Sequence, residues 1–269
     1  MKNSVPMIEQ KISSLNFISF RYLFQMSNVE NSTIFIYNLG MYIDIYYIIL
    51  VVPTIILTLF AQIKVKSTFT KYSAVPSRRG LTGREAARIV LDYKNLADVQ
   101  IERVSGSLTD HYDPSKNVLR LSESVYDSSS VAAIAVACHE AGHAVQKSVN
   151  YKPLVLRSTL VPLANIGSNA GPWLVILGLI FSVEKLLYVG ICLFALSVLF
   201  YLVTLPVEFN ASKRALNLLE ETHIVESDEI YMARSVLGAA AMTYVASALT
   251  ALANLLRFIL IARSRNDRR

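Results

Sequence analysis

Four long stretches without a charged side chain dominate the pattern of apolar and polar positions along the chain. These stretches cover residues 45–63, 158–183, 186–207 and 235–256. A helix needs about 20 mostly apolar residues to cross the hydrocarbon core of a bilayer. We therefore expect about four transmembrane helices: one at 42–63, a hairpin over 158–207, and one at 236–262 that either spans the membrane or associates with it.

The alternative for each stretch is a buried core helix of a soluble protein. It fits best at 158–183, which carries Asn165, Ser168, Asn169 and two prolines. Composition favours the membrane, because 53% of the residues are hydrophobic and the mean hydropathy is +0.42. The chain is therefore expected to be a mainly α integral membrane protein.

A more polar region, residues 64–157, separates the first apolar stretch from the second and predicts a small α+β domain. Thr82, with Glu85 three residues later, is the pattern that begins a capped helix. Residues 99–104 and 118–121 have the composition of short strands, and the turn-forming residues between them predict a loop over 105–117. A helix is expected at 130–147, and the strand just before it could pair with an extended peptide.

Charge and cysteine content narrow the class of partner. The net charge of +6 fits contact with anionic lipid headgroups, and the arginines show no nucleic-acid-binding motif. Cys138 and Cys192 are too few for a disulfide framework. The expected partners are the lipid bilayer and polypeptides, and no nucleic acid.

The helix at 130–147 carries the residues with the clearest chemistry. His139 and His143 are four positions apart, so on a helix their Cβ atoms lie about 5–6 Å apart on one face. This spacing allows both imidazoles to bind one zinc ion, with Zn–N distances of about 2.0–2.1 Å. Glu140 lies beside them, where a carboxylate can take a proton from the attacking water. The alternative is a surface helix that happens to carry these three residues.

Catalytic zinc usually has three protein ligands, so a third is expected outside this helix. The positions that would complete an extended motif hold Gln146 and Val149, so the ligand must lie elsewhere. Glu208 is the best candidate. It follows Pro206, where a new helix over part of 208–235 is predicted. A carboxylate alone among the small, apolar residues on that helix face needs a partner, and a metal would supply one. The alternative for Glu208 is an acidic residue that only favours a helix N-terminus.

Two other histidines could take part in the site. His223 is a rival for the third ligand, although it lies in a polar stretch that resembles a solvated loop. His111 could approach the substrate or stabilise an oxyanion. Its alternative role is a hydrogen bond within an Asp-rich turn, and this alternative is favoured.

Several motifs, in this order, resemble those of the YugP-type neutral zinc metallopeptidases. They are residues 60–62 (FAQ), 64–69 (KVKSTF), 109–114 (TDHYDP), 139–144 (HEAGHA) and 205–212 (LPVEFNAS). The resemblance runs from about 45 to 258 and leaves out residues 1–40. We expect residues 1–41 to be a disordered or spurious extension that the protein can lose.

The resemblance implies a membrane-bound zinc endopeptidase of the prokaryotic plasma membrane, distantly similar to the HtpX-type gluzincins, with a zincin-like domain over 64–157. In those enzymes the third ligand is the first Glu of a Glu-x-x-x-Asp motif, which corresponds to Glu208. Ser212 stands where that motif has Asp. The group that orients a ligand histidine is therefore open, with Asn210 and Asp113 as candidates.

The positions of the ligands also predict a topology. Glu208 must meet His139, so the segments after the first and third apolar stretches share one side of the membrane. That side is rich in Lys and Arg, which predicts a metal site facing the cytoplasm. The basic tail at 263–269 would lie on the opposite side if 236–262 spans. The competing function is a membrane scaffold or chaperone-like factor with a structural or vestigial zinc site.

Overall fold

The computed structural model describes residues 44–266, so the predictions for residues 1–41 and the end of the basic tail lie outside it. The chain divides at Ile48, and the unit discussed below begins at Ile49. A π-helical turn, Tyr47–Val51, leads into α1, Val52–Ser73. Pro53 lies in the first turn of α1, where its missing N–H has no helical partner to lose. The first long helix thus continues ten residues beyond the predicted end at Ile63.

Three further long helices follow later in the chain. They are α5, Lys152–Ile180, α6, Glu184–Glu221, and α7, Ser227–Asn266. Together with the helix through α1, they are long and apolar enough to cross a membrane. Their apolar windows are only 11–33% buried within the protein, as expected for helices whose outer surfaces face lipid. The prediction of about four such helices is confirmed.

The region between α1 and α5 folds as a small α+β unit. Its elements are α2, Gly83–Tyr93; β1, Gln100–Val104; β2, His111–Asp113; β3, Val118–Ser122; α3, Glu123–Tyr126; and α4, Val131–Ser148. The Thr82 side chain accepts from the Glu85 backbone and the Glu85 side chain accepts from Thr82, so α2 begins with the predicted capping box. The mainly α fold with a small sheet is therefore confirmed.

The sheet differs from the prediction in one strand. Its order is β1-β3-β2, with β1 parallel and β2 antiparallel to β3. The residues of β2 fall in the predicted loop 105–117, because three residues are too few to show an alternating pattern. As a result β3 is central, and the strand before α4 is not the exposed edge strand that the sequence suggested. The edge strands are β1 and β2.

The second difference is at Pro206. The sequence predicts a helix end there, but α6 is continuous for 38 residues and contains Pro206. Proline removes the N–H that would bond the carbonyl of Leu202, and a helix tolerates this loss when neighbouring helices support it. α5 and α7 both pack against α6. Glu208 therefore belongs to the same rigid helix as the third apolar stretch.

The last helix runs alongside the others to their far end. The rings of Phe194 in α6 and Phe258 in α7 meet at a centroid distance of 5.4 Å. Arg265 Nη1 donates to the carbonyl of Leu179 over 2.8 Å, and its Nη2 donates to Ser182 Oγ. The C-terminal end of α7 thus reaches the turn between α5 and α6. If α5 and α6 cross the bilayer, α7 is long enough to cross it as well.

α4 lies in the centre of the larger hydrophobic core. Its side chains Ile134, Ala137 and Ala141 are fully buried. α2, α6 and α7 pack around it, and the sheet and α1 contact it as well. The helix that carries both histidines of the motif is therefore held on several sides.

Candidate metal centre

α4 presents its two histidines on one face, close to the backbone of α6. Ser130 caps the helix, because its side chain accepts from the Ala133 N–H. The rings of His139 and His143 are perpendicular, with centroids 4.9 Å apart. Gly142 lies between them, and a Cβ there would come within 2.9 Å of the Ala211 carbonyl oxygen of α6. Glycine therefore permits the close approach of the two helices at this point.

α6 brings Glu208 onto the two histidines. Glu208 Oε2 lies 3.2 Å from His139 Nε2 and 3.5 Å from His143 Nε2. One ligand atom from each of the three residues lies within 4.8 Å of the others. The Glu208 side chain is only 3% exposed, and Arg157 Nη1 of α5 lies 3.5 Å from its Oε1. Two imidazoles and a buried carboxylate are a donor set that suits Zn²⁺.

Gln146 fixes the orientation of His143 through its amide. Its Nε2 donates to the Val207 carbonyl over 2.8 Å and to Asn210 Oδ1 over 3.0 Å. An amide nitrogen cannot accept, so Gln146 Oε1 is the acceptor that faces His143 Nδ1 over 3.0 Å. His143 Nδ1 must then carry the proton, which leaves the Nε2 lone pair directed at the cluster.

Ser212 occupies the corresponding position behind His139. Its hydroxyl lies 3.1 Å from His139 Nδ1, while Nε2 of the same ring faces Glu208. Asn210 contacts Gln146 instead, and the nearest charged partner of Asp113 is Arg120, at 3.0 Å. The sequence suggested Asn210 or Asp113 for this role, but the side chain that contacts His139 Nδ1 is that of Ser212.

Glu140, next to His139 in α4, contacts the sheet. Its Oε2 accepts from the backbone N–H of Tyr112 over 3.1 Å. Tyr112 is the middle residue of β2, the strand at one edge of the sheet. The contact joins the motif helix to an edge strand, which no local sequence pattern predicts.

The other two candidate histidines lie outside the cluster. His111 Nδ1 lies 2.9 Å from the Thr109 carbonyl, and its Nε2 lies 3.4 Å from Arg120 Nη1. His223 has a φ of 50° in the link between α6 and α7, and its carbonyl accepts from Arg79. Within residues 44–266, the histidine, cysteine and acidic side chains that converge in this way are His139, His143 and Glu208.

Two carboxylates hold the ends of β2: Asp110, which is half-buried, and Asp113, which is buried. Burial raises the pKa of Asp110, although the backbone N–H and hydroxyl of Ser122 donate to it and oppose that effect. Burial also acts to raise the pKa of Asp113. Hydrogen bonds from Ser115, Arg120 and Lys116 outweigh it and lower that pKa to about 2. Asp113 is therefore ionised at neutral pH and anchors the β2–β3 hairpin.

The sequence matches one protein family model and is similar to one curated protein. A family model described as "putative neutral zinc metallopeptidase" matches residues 47–263. A protein of Bacillus subtilis (strain 168) named "putative membrane protease YugP" is 46% identical over 221 residues, which are 82% of this chain and 98% of that protein. No solved structure matches the chain.

Proposed function

The chain belongs to the family of "putative neutral zinc metallopeptidases", and from this membership and the site geometry we propose that it is a membrane-bound, zinc-dependent endopeptidase. The observation that carries the proposal is the convergence of His139, His143 and Glu208, with Glu140 on the same helix as both histidines. A structural zinc site normally closes with four ligands and needs no base. Three ligands and an adjacent carboxylate suit a hydrolase.

The three converging side chains would hold one zinc ion. His139 and His143 would bind through Nε2, because Ser212 and Gln146 contact their Nδ1 atoms. Glu208 would bind through Oε2, the oxygen that faces both rings. Zinc bound there would polarise the scissile carbonyl and lower the pKa of a coordinated water towards about 7.

Glu140 is the proposed general base. Its carboxylate takes a proton from the attacking water and delivers it to the nitrogen of the leaving amine, so that water adds across the peptide bond. The Tyr112 N–H holds Oε2 over 3.1 Å and thereby limits rotation of the carboxylate. This contact keeps the base in place without consuming its charge.

β2 supports a polypeptide as the substrate. An extended peptide can add to the exposed edge of a sheet through main-chain hydrogen bonds, and β2 is an edge strand whose Tyr112 touches the proposed base. Glu208 lies in a helix that is long and apolar enough to cross a membrane. Membrane-associated polypeptides are therefore the natural first substrates.

The first test separates catalysis from metal binding. Glu140→Gln should retain one zinc per chain and lose about 10²–10⁴-fold in cleavage rate, the usual contribution of general acid–base catalysis. Purified full-length protein in detergent is assayed with fluorescently labelled casein, and its zinc is measured by elemental mass spectrometry. Wild-type cleavage that a chelator abolishes and zinc restores is the positive control. Full activity of the variant would remove Glu140 from the role.

The second test concerns the third ligand. Glu208→Ala should lose most of its zinc, because it removes one of three donors and leaves an opening in a buried site. His223→Ala is the control, since His223 lies outside the cluster, and it should keep wild-type zinc content. The reverse pattern would assign the ligand to His223. Zinc in the wild type with no cleavage of any tested polypeptide would instead favour the non-proteolytic scaffold.

A further inference from the structure

A groove between α6 and α7 remains after the metal centre is accounted for. Its volume is about 450 Å³, and residues of both helices line it. The two helices are antiparallel, joined by the short link after Glu221. Lys213, Asn217 and Arg234 therefore lie towards the link, whereas Met242 and Val245 lie deeper along the apolar part of α7. The groove is cationic at one end and apolar at the other.

The cations of this groove lack acidic partners. Lys213 and Arg234 are exposed, and neither forms an ion pair with any residue that the structure describes. A pair of unneutralised basic side chains above an apolar surface complements an anionic headgroup attached to an acyl chain.

The groove lies behind the metal centre rather than in front of it. Ser212 lines the groove, and its hydroxyl contacts His139 Nδ1 over 3.1 Å. The opposite nitrogen of that ring faces Glu208 over 3.2 Å. A scissile peptide must reach the Nε2 side of the ring, so this groove is on the wrong side of His139 to hold it.

We propose that the α6–α7 groove binds one anionic phospholipid from the surrounding bilayer. Its phosphate lies between Lys213 and Arg234, and one acyl chain packs along Phe209, Met242 and Val245. The proposal depends on the membrane insertion proposed above, but it requires neither zinc nor peptidase activity. The bound lipid would lie against Ser212, whose hydroxyl contacts His139 Nδ1.

Gly238 provides a direct way to close the groove. It lines the groove, and a Cβ built there meets nothing within 4 Å. Gly238→Leu should therefore fill the space without a clash inside the protein. Gly238→Ala is its matched control, because it makes the same change in backbone freedom while adding only the Cβ.

The test measures retained lipid on the delipidated full chain in detergent by native mass spectrometry. Dioleoylphosphatidylglycerol is the probe, and dioleoylphosphatidylcholine, with the same chains and no net charge, is the comparison. Each basic residue near a headgroup contributes roughly fivefold in affinity, so Lys213→Gln with Arg234→Gln should bind the anionic lipid about 30-fold more weakly. Lys64→Gln with Lys66→Gln removes the same charge from α1, away from the groove, and should bind as the wild type does.

The lipid-binding results are distinguishable from those of the peptidase tests, because they measure bound lipid rather than zinc content or cleavage. One retained phosphatidylglycerol, lost in Gly238→Leu and kept in Gly238→Ala, supports the proposal. Equal retention of the two lipids, or equal loss with the Lys64 and Lys66 changes, overturns it. Displacement of the lipid by labelled casein on the Glu140→Gln protein would assign the groove to substrate and overturn it as well.

Discussion

Gln146 is a fully buried polar residue whose side chain links α4 to α6 at the metal centre. Its amide joins His143 Nδ1 of α4 to the Val207 carbonyl, one residue before Glu208 in α6. The side chain therefore sets the proton position on one proposed ligand and the backbone position of another. Partners of this kind typically contribute 10–100-fold in metal affinity.

Gln146→Leu should weaken zinc binding by about 10–100-fold, because it leaves His143 Nδ1 and the Val207 carbonyl without their partner. The measurement is a competition titration against a chromophoric chelator. Ser148→Ala, on the exposed end of the same helix, is the control and should titrate as the wild type. Helicity of the metal-free variant is recorded in parallel. Unchanged zinc affinity in a folded Gln146→Leu protein would show that the amide does not position the ligands.

The sequence predicted the proposed ligands but not the groups that orient them. His139 and His143 share a helix, and Glu208 stood out as a carboxylate next to small, apolar positions. Ser212 was not among the candidates from the sequence, Asn210 and Asp113, because its contact with His139 joins residues 73 positions apart. The distance between two packed helices is a tertiary property, and no local spacing records it.

At the scale of elements, signals that depend on length or on local caps were reliable. The four apolar helices and the capped start of α2 agree with the prediction. The sequence did not predict two other features, the strand β2 and the continuous helix at Pro206. β2 has three residues, too few for periodicity, and Pro206 stays helical because its neighbours on both sides support α6. In both cases tertiary contacts override the local preference.

The β2–β3 hairpin should lose stability in acid through Asp113. Its pKa is lowered to about 2 in the folded protein from an unfolded value of about 4. A lowered pKa stabilises the fold above the unfolded value, and that contribution is lost as pH falls from about 4 through 2. It amounts to about 2.5 kcal/mol.

Asp113→Asn should therefore lower the Tm of the metal-free protein at pH 7 and have a smaller effect at pH 3. The metal-free state removes the contribution of zinc, whose loss in acid would otherwise dominate. Asp127→Asn is the control, because its ion pair with Arg103 is exposed on both sides and such pairs contribute little. A difference in Tm that is equal at both pH values would assign the effect of Asp113→Asn to packing instead of charge.

At the scale of the whole molecule, the two ends of the helices differ in what they carry. The cluster of His139, His143 and Glu208 lies at the end where the small α+β unit packs. The contacts of Arg265 with Leu179 and Ser182 lie at the other end. The basic side chains near the first end include Lys64, Lys66, Lys71, Arg78, Arg79, Lys147, Lys152, Arg157, Lys213, Arg214 and Arg234. By the positive-inside rule we expect this end to face the cytoplasm, with Lys185, Arg263 and Arg265 outside as the minority.

This orientation can be tested with single cysteines in a Cys192→Ala background. Cys138 can remain, because it is fully buried and burial raises the pKa of its thiol, which suppresses its reactivity. Val183→Cys, in the exposed turn between α5 and α6, should react with a membrane-impermeant maleimide on intact cells. Lys116→Cys, in the exposed turn between β2 and β3, should react only after the membrane is permeabilised. The opposite labelling pattern would place the metal centre outside the cell. Labelling of both variants on intact cells would mean that α5 does not cross the bilayer.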